Sequence, residues 1–151
     1  MTQPTTIGLD ELARKFDRLT DVADGESLFA MLVAMAVIFE RAIKEKIKER
    51  GLIDSGRLRS SVGWLKLNDK TVVVGVFNLV YAAIHEFGGV IRAKGGGYLR
   101  FRTKDGQWHT VKEVTIPARP YVRPAFYENV DEALGEFGRL LVEHFERIAR
   151  G

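Results

Sequence analysis

Residues 27–47 read SLFAMLVAMAVIFERAIKEKI, and this stretch decides the fold. Its apolar side chains recur every three or four residues, which is the spacing of one face of an α-helix. They are Leu28, Leu32, Met35, Phe39, Ile43 and Ile47. The segment 27–39 is apolar nearly all round, yet its 13 residues fall short of the 18 or more that cross a bilayer. We therefore expect a buried helix, covered on more than one side by its own domain or by another subunit.

Helix boundaries are marked on both sides of this stretch. Asp24 or Ser27 can cap the first turn, because their side-chain oxygens accept backbone N–H groups. Lys48-Glu49-Arg50 is followed by Gly51, which places cations and a glycine at the C-terminal end. The sequence thus predicts one long helix between these signals.

After Ser60 the apolar spacing becomes alternating, which is typical of strands. Two alternating runs in 62–76 flank Asn68-Asp69 and predict a β-hairpin. One or two helical turns over 79–87 are expected before Gly88-Gly89. Further strands are predicted at 90–92, 98–102 and 108–116. Because no connection is long enough for a crossover helix, the sheet should be antiparallel.

The prolines Pro117, Pro120 and Pro124 should stop the last strand and set up a final helix. Its predicted apolar stripe is Phe126, Val130, Leu134, Phe137, Leu141, Phe145 and Ile148. We expect an α+β fold with a long N-terminal helix, an antiparallel sheet of about five strands and a C-terminal amphipathic helix packed on the sheet. Residues 1–151 should form a single domain, in which 1–24 are a polar tail with a short helix (Leu9 to Leu19) and 25–151 are the core.

The composition excludes several classes of chemistry. The chain has 151 residues and no cysteine, so thiol catalysis, cysteine-based zinc sites and disulfides are excluded. The N-terminal residues do not have the pattern of a signal peptide, so we expect no export by that route. Charge is uneven: net −1 over 1–50, +7 over 51–125 and −3 over 126–151. A basic middle third fits a polyanion or an acidic protein surface.

No catalytic or metal-binding set is predicted. His85-Glu86 would need a second histidine four residues after the first to resemble a zinc-protease helix, and position 89 is glycine. Ser60 and Ser61 are not flanked by a glycine elbow. We therefore expect no enzyme activity, no metal and no cofactor.

A basic stretch in the middle third leaves two interpretations open. Its cations are Arg92, Lys94, Arg100, Arg102 and Lys104, interleaved with Tyr98 and Phe101. Cations bind phosphates and aromatic rings stack on bases, so a nucleic-acid-binding face is one interpretation. The other is a half-buried edge hairpin, because Arg100 and Arg102 share one strand face while Leu99 and Phe101 share the other.

Three segments together resemble a known family. They are DSGRLRSS (54–61), YAAIHEFGG (81–89) followed by Ile91, and IPARPYVRPA (116–125). In order and spacing they resemble the small neck and tail-completion proteins of tailed bacteriophages, labelled phage virion morphogenesis or phage tail-component proteins. The resemblance covers about residues 28–150, and Tyr121 stands where phenylalanine is common. It implies an α+β domain that assembles as a ring in the head-to-tail connector, without catalysis.

The resemblance and the residues together predict a structural virion protein that joins the DNA-filled head to the tail. Such a ring, a hexamer or dodecamer, needs two different patches on each subunit. Its other partners would be connector and tail-tube proteins, and we expect no contact with a membrane. The protein would be made in the host bacterial cytoplasm and would reside in the virion. The alternative is a small basic nucleic-acid-binding module.

Two groups of contact residues are expected. Structural turns and subunit or partner contacts are predicted at Arg57, Arg59, Tyr81, His85, Glu86, Phe87, Arg119, Tyr121 and Arg123. The basic residues at 92, 94, 100, 102 and 104 are expected to face either a neighbouring protein or packaged DNA, which they would contact non-specifically.

Overall fold

The computed structural model describes residues 23–52, 56–79, 81–103 and 105–151. The short helix predicted within 1–24, the residue Asp54 and the candidate cation Lys104 lie outside these residues. None of the described helices is both long enough and apolar enough to span a membrane.

The long N-terminal helix is confirmed as α1, Gly25–Glu49. Asp24 caps it, because its carboxylate accepts the Ser27 N–H at 2.9 Å and the Ser27 hydroxyl at 2.8 Å. The helix ends before Gly51, whose φ of +67° is the left-handed conformation that glycine adopts without strain. Both boundaries were therefore predicted correctly from the sequence.

The first hairpin also follows the prediction. A single turn, α2 (Arg57–Ser60), leads into β1 (Val62–Asn68), which pairs antiparallel with β2 (Thr71–Val76). Trp64 lies opposite Val74 in this register. The hairpin packs on α1, where Ile43 and Ile47 share a buried cluster with Val62 and Leu58.

The second half of the sheet differs from the expected layout. After α3 (Ala82–Phe87) come β3 (Gly89–Arg92), a 3₁₀ turn (Lys94–Gly96), β4 (Leu99–Arg102), β5 (Trp108–Val111) and β6 (Glu113–Ile116). The single strand expected over 108–116 is divided at Lys112, because β5 pairs with β4 whereas β6 pairs with β3. There are six strands in three two-stranded antiparallel ladders, where one sheet of about five strands was expected.

Residues 89–116 form one long ribbon, which we call the β-arm. The β4–β5 ladder continues the β3–β6 ladder. Between the two ladders, the Ala93 N–H donates to the Lys112 carbonyl at 2.9 Å. None of the described residues of the β-arm is buried. The β-arm therefore contributes nothing to the core, and its strands pack chiefly on one another.

The C-terminal helix, α4 (Val122–Arg150), packs mainly along α1, whereas the sequence placed it on the sheet. Only its beginning reaches the hairpin, since Tyr121 and Ala125 join the cluster that contains Val62. The rest meets α1, where Leu28 and Met31 are buried with Phe137 and Leu141. This arrangement follows from α1 itself, whose apolar surface is wide enough to take the hairpin on one side and a helix on the other.

The buried stripe of α4 is rotated from the predicted one. The buried members are Ala125, Ala133, Phe137, Leu141 and His144, while Phe126, Phe145 and Ile148 are exposed. Small residues permit this packing, because Ala36 and Ala42 of α1 and Ala133 of α4 are almost fully buried and let two helices approach closely. The α+β fold class is confirmed.

Candidate functional site

The site lies where α3 meets the start of α4, and we call residues 82–88 with 118–123 the clasp. Glu86 is buried at its centre, with 3% of its surface exposed. Its carboxylate accepts the backbone N–H groups of Tyr121 at 2.7 Å, Val122 at 2.9 Å and Arg123 at 3.2 Å. The next residue, Pro124, has no N–H. Glu86 thus accepts every N–H group that the first turn of α4 leaves free.

Charge favours the same arrangement. The N-terminal end of a helix carries a partial positive charge, so an ionised carboxylate there is stabilised. Burial alone would raise the pKa of Glu86, but the three backbone N–H groups and the Arg123 guanidinium outweigh it and hold the pKa below its ordinary value. The Nε of Arg123 lies 3.3 Å from the Glu86 carboxylate. Glu86 is therefore a charged cap supplied from 36 residues before the helix it caps.

Tyr121 makes the second bond of the clasp. Its ring is buried, with 1% exposed, and its hydroxyl donates to the Ala82 carbonyl at 3.0 Å. Burial, with smaller contributions from the charges of Glu86 and Tyr81, raises the pKa of this phenol to about 12. The hydroxyl therefore stays protonated near neutral pH and can donate this hydrogen bond. Tyr121 binds both ends of α3 to α4, since its N–H reaches Glu86 and its hydroxyl reaches Ala82.

Gly88 allows the two segments to approach closely. Its φ is +71°, and a Cβ at this position would lie 2.8 Å from the Ala118 nitrogen and 3.0 Å from the Ile116 carbonyl. Beside it, the Arg119 N–H donates to the His85 carbonyl at 2.7 Å. No side chain other than hydrogen fits at position 88 without moving the backbone.

The outer surface of the clasp is aromatic and basic. Phe87 is 66% exposed, and the Arg123 guanidinium lies over its ring at 5.3 Å from the centroid. Tyr81 packs edge-on against His85 at 5.9 Å. The Nδ1 atom of His85 is buried and neither accepts nor donates a hydrogen bond. Burial, reinforced by the positive charge of Arg119, lowers the pKa of this imidazole.

The predicted contact residues thus divide in two. Glu86 and Tyr121 are buried and bonded inside the chain, whereas the exposed members at this surface are Tyr81, Phe87, Arg119 and Arg123. Arg57 and Arg59 are also exposed, but they lie on α2, and Arg59 faces a shallow depression on α1 beside Val37 and Lys44. The structure therefore brings six of the nine candidates together in the clasp, and a seventh, Tyr81, packs against it through His85.

The basic candidates lie along the β-arm. Arg92 is paired with Glu113 across the β3–β6 ladder at 3.0 Å, and Arg102 donates to the Gly106 carbonyl at 2.9 Å. Arg100 lies over the exposed Trp108 ring, 4.6 Å from its centroid. Lys94 is exposed in the 3₁₀ turn. The predicted alternation is confirmed, with Leu99 and Phe101 half-buried between exposed arginines.

Among the described residues, no group of three or more histidine, aspartate or glutamate side chains is placed to hold a metal ion. The organisation of the site is that of a hydrogen-bonded joint with an exposed rim. Such a joint fixes the direction in which the β-arm leaves the helices, because the arm begins at Gly89 and ends at Ile116, directly beside the clasp.

Sequence reasoning missed the capping role of Glu86. A local signal was present: the residues before α4, Arg119-Pro120-Tyr121, contain no capping side chain, and the helix has no acidic residue in its first turn. A helix start without a local cap requires a partner from elsewhere. Which residue supplies it depends on the fold.

Comparison with known proteins gives one family. Residues 10–88, 79 of the 151, match the family model HK97-gp10_like, described as "Bacteriophage HK97-gp10, putative tail-component". The match includes α1, the first hairpin and α3 with Glu86. Neither the curated proteins nor the solved structures contain a significant match.

Proposed function

Because the chain belongs to this family of bacteriophage tail components, and is thus a structural protein associated with the virion, we propose that it forms a homo-oligomeric ring in the head-to-tail connector. The ring would be a neck, tail-completion or tail-terminator ring of six or twelve copies. It would join the DNA-filled head to the tail by binding other connector proteins and the tail tube.

The observation that carries the proposal is the presence of two unlike surfaces on one subunit. The β-arm has six Lys or Arg and two Asp or Glu, a net charge of +4, and none of its described residues is buried in the core. Residues 126–151 on α4 have three Lys or Arg and six Asp or Glu, a net charge of −3. A ring of identical copies requires a heterologous contact between different patches, and opposite charges favour it.

The clasp supplies a third surface for the proposal. Its exposed side chains, Phe87, Arg119 and Arg123, combine an aromatic ring with arginines, and these residue types are enriched where proteins bind one another. The buried hydrogen bonds of Glu86 and Tyr121 hold the backbone that carries this surface. We assign it to contact with a neighbouring subunit or connector protein.

Sedimentation velocity over a wide concentration range tests ring formation. We expect a closed species of about six or twelve copies that duplex DNA does not alter. Immunogold labelling of particles should place the protein between head and tail. Labelling confined to another part of the particle would contradict the connector assignment.

Charge reversal tests the clasp surface in the same particles. Arg119→Glu with Arg123→Glu should reduce incorporation into particles, whereas Arg147→Glu, an exposed arginine at the other end of α4, should not. Normal incorporation of the double variant would remove the clasp surface from the proposal.

A second candidate function is a nucleic-acid-binding module, favoured by one face of the β-arm. There Arg100 lies over Trp108, which is 60% exposed, and Arg102 is on the same face. This candidate predicts a monomer that binds labelled duplex DNA and releases it as salt rises. Binding that does not fall between two salt concentrations would argue against it.

A further inference from the structure

The β-arm has an apolar face that the rest of the chain leaves uncovered. In its ladders, Ile91 lies opposite Val114 and Leu99 lies opposite Val111, so their side chains share one face. Five apolar residues line a shallow groove of about 330 Å³ on this face, with Arg100 at its rim: Ile91, Leu99, Phe101, Val114 and Ile116. Ile91 remains 38% exposed. A continuous apolar groove on a projecting ribbon is typical of a binding surface.

A second apolar depression lies on the helices. Ala34, Val37 and Ile38 of α1 form its floor, and Glu132 and Glu136 of α4 form its other wall. Val37 is 52% exposed although it belongs to the most apolar stretch of the chain. We call this depression the helix groove. Both glutamates are paired within the chain, Glu132 with Arg41 at 2.7 Å and Glu136 with Arg139 at 2.6 Å, so the groove has an apolar floor and a wall of exposed ion pairs.

We infer that the apolar face of the β-arm of one copy docks in the helix groove of a second copy. This inference rests on the proposed ring and names the surfaces that would build it. The two surfaces match in two respects: each has an apolar centre, and the arm as a whole has a net charge of +4 while residues 126–151, beside the groove, have a net charge of −3. The contact is heterologous, so the arm of each copy reaches the next copy and its own groove receives the previous one.

The division between the two faces of the arm supports this orientation. The opposite face carries Thr110, Trp108 and the two arginines, of which Arg102 is bonded back to Gly106. That face combines the exposed Trp108 ring with the Arg100 guanidinium lying over it, and it suits solvent or an anion. The apolar face gains most from being covered, since burial of apolar area supplies most of the free energy of association.

The first test is the self-association of two matched variants. Phe101→Glu places a carboxylate on the apolar face, and Thr110→Glu places the same charge on the opposite face of the same ladder. We expect Phe101→Glu to weaken self-association about tenfold or more, because burying an unpaired carboxylate against an apolar floor is costly, while Thr110→Glu assembles as wild type does. Neither position is in the core, so circular dichroism should show both variants folded.

The partner surface is tested in the same way. Val37→Glu in the helix groove should match the loss caused by Phe101→Glu, whereas Val142→Glu, at a valine 57% exposed elsewhere on α4, should associate normally. If Phe101→Glu or Val37→Glu assembles as tightly as wild type, the docking is overturned while the ring stands. If wild type itself stays monomeric at all concentrations, self-docking is overturned, and labelling of particles decides the connector role separately.

Cross-linking gives a readout that does not depend on affinity. The chain has no cysteine, so single cysteines react without background. A mixture of Phe101→Cys and Val37→Cys proteins treated with a short bis-maleimide should yield the mixed dimer. A mixture of Thr110→Cys and Val37→Cys should yield much less. Equal yields from the two mixtures would overturn the assignment of the apolar face.

Discussion

The Glu86 carboxylate accepts the Tyr121 backbone N–H at 2.7 Å, and this contact ties the 82–87 helix to the start of the C-terminal helix. Two sequence motifs, with these residues 35 positions apart along the chain, thereby become one joint. Because the β-arm leaves and re-enters the fold at this joint, its direction depends on the same bonds. Loss of these bonds should therefore also weaken the proposed assembly through the β-arm.

Replacing the buried carboxylate should destabilise the protein. Glu86→Gln keeps the size of the side chain but removes the charge that three N–H groups and Arg123 share. We expect a loss of about 2–3 kcal/mol in the free energy of unfolding at neutral pH, measured by urea denaturation. Glu113→Gln, at an exposed ion pair with Arg92, should change it by no more than about 0.5 kcal/mol. Equal effects of the two substitutions would contradict the capping role.

The same carboxylate should contribute to acid denaturation. Its pKa is lowered by folding from an ordinary value of 4.5, so the folded state favours the ionised form. This stabilisation is complete above the unfolded pKa and is lost as pH falls through the lowered folded pKa. The difference in stability between wild type and Glu86→Gln should therefore shrink in urea titrations between pH 7 and pH 3. A difference that stays constant with pH would show that Glu86 does not act through its charge.

The Tyr121 hydroxyl should be worth about one hydrogen bond. Tyr121→Phe keeps the buried ring but removes the donor to the Ala82 carbonyl, so we expect a loss of about 1 kcal/mol by urea denaturation. Tyr127→Phe is the matched control, because Tyr127 is 68% exposed and should tolerate the change. No loss in Tyr121→Phe would mean that the hydroxyl contributes nothing net to folding.

A methyl group at position 88 should open the clasp. Gly88→Ala combines a positive φ with contacts of 2.8 Å and 3.0 Å to backbone atoms, and we expect a loss of about 3 kcal/mol. Gly95→Ala has a similar φ of +62° but no atom within 4 Å, so it should cost about 1 kcal/mol. Thermal unfolding of the two variants separates close contact from backbone strain. Similar losses would contradict the proposed crowding at Gly88.

Two members of the stripe predicted for the C-terminal helix should behave differently. Phe137 is 3% exposed and lies against the long helix, so Phe137→Ala should cost about 3–5 kcal/mol. Ile148 is 61% exposed, and Ile148→Ala should change the free energy of unfolding by less than about 0.5 kcal/mol. A large loss in Ile148→Ala measured on the isolated monomer would contradict the helix orientation described above.

Local patterns predicted the elements of this fold well. The long helix, its N-terminal cap and its end at Gly51 depend on neighbours within a few residues; the structure confirms the helix and its end, and of the two predicted caps it has Asp24 rather than Ser27. The first hairpin and the short helix before Gly88 were also predicted correctly. Two features were wrong in detail: one sheet was expected where there are three ladders, and the last helix was expected on the sheet.

These errors, and the failure to predict from the sequence that Glu86 caps the C-terminal helix, have the same physical cause. Alternation shows that a strand has two unlike faces, but it does not show which strand it pairs with, so the break at Lys112 appears only when β5 and β6 find different partners. Helical spacing shows that α4 has an apolar side, but Phe137 is buried and Ile148 exposed only because α1 is where the helix packs.

The amino-acid sequence by itself determined the secondary structure, the absence of thiol chemistry and the resemblance to phage tail components, because these depend on residue types and short spacings. Only the tertiary structure decided that Glu86 caps a helix 36 residues away, and that the β-arm stands outside the core with an uncovered apolar face. Such contacts join distant residues, and their free energy exists only once the chain has folded and excluded water between them.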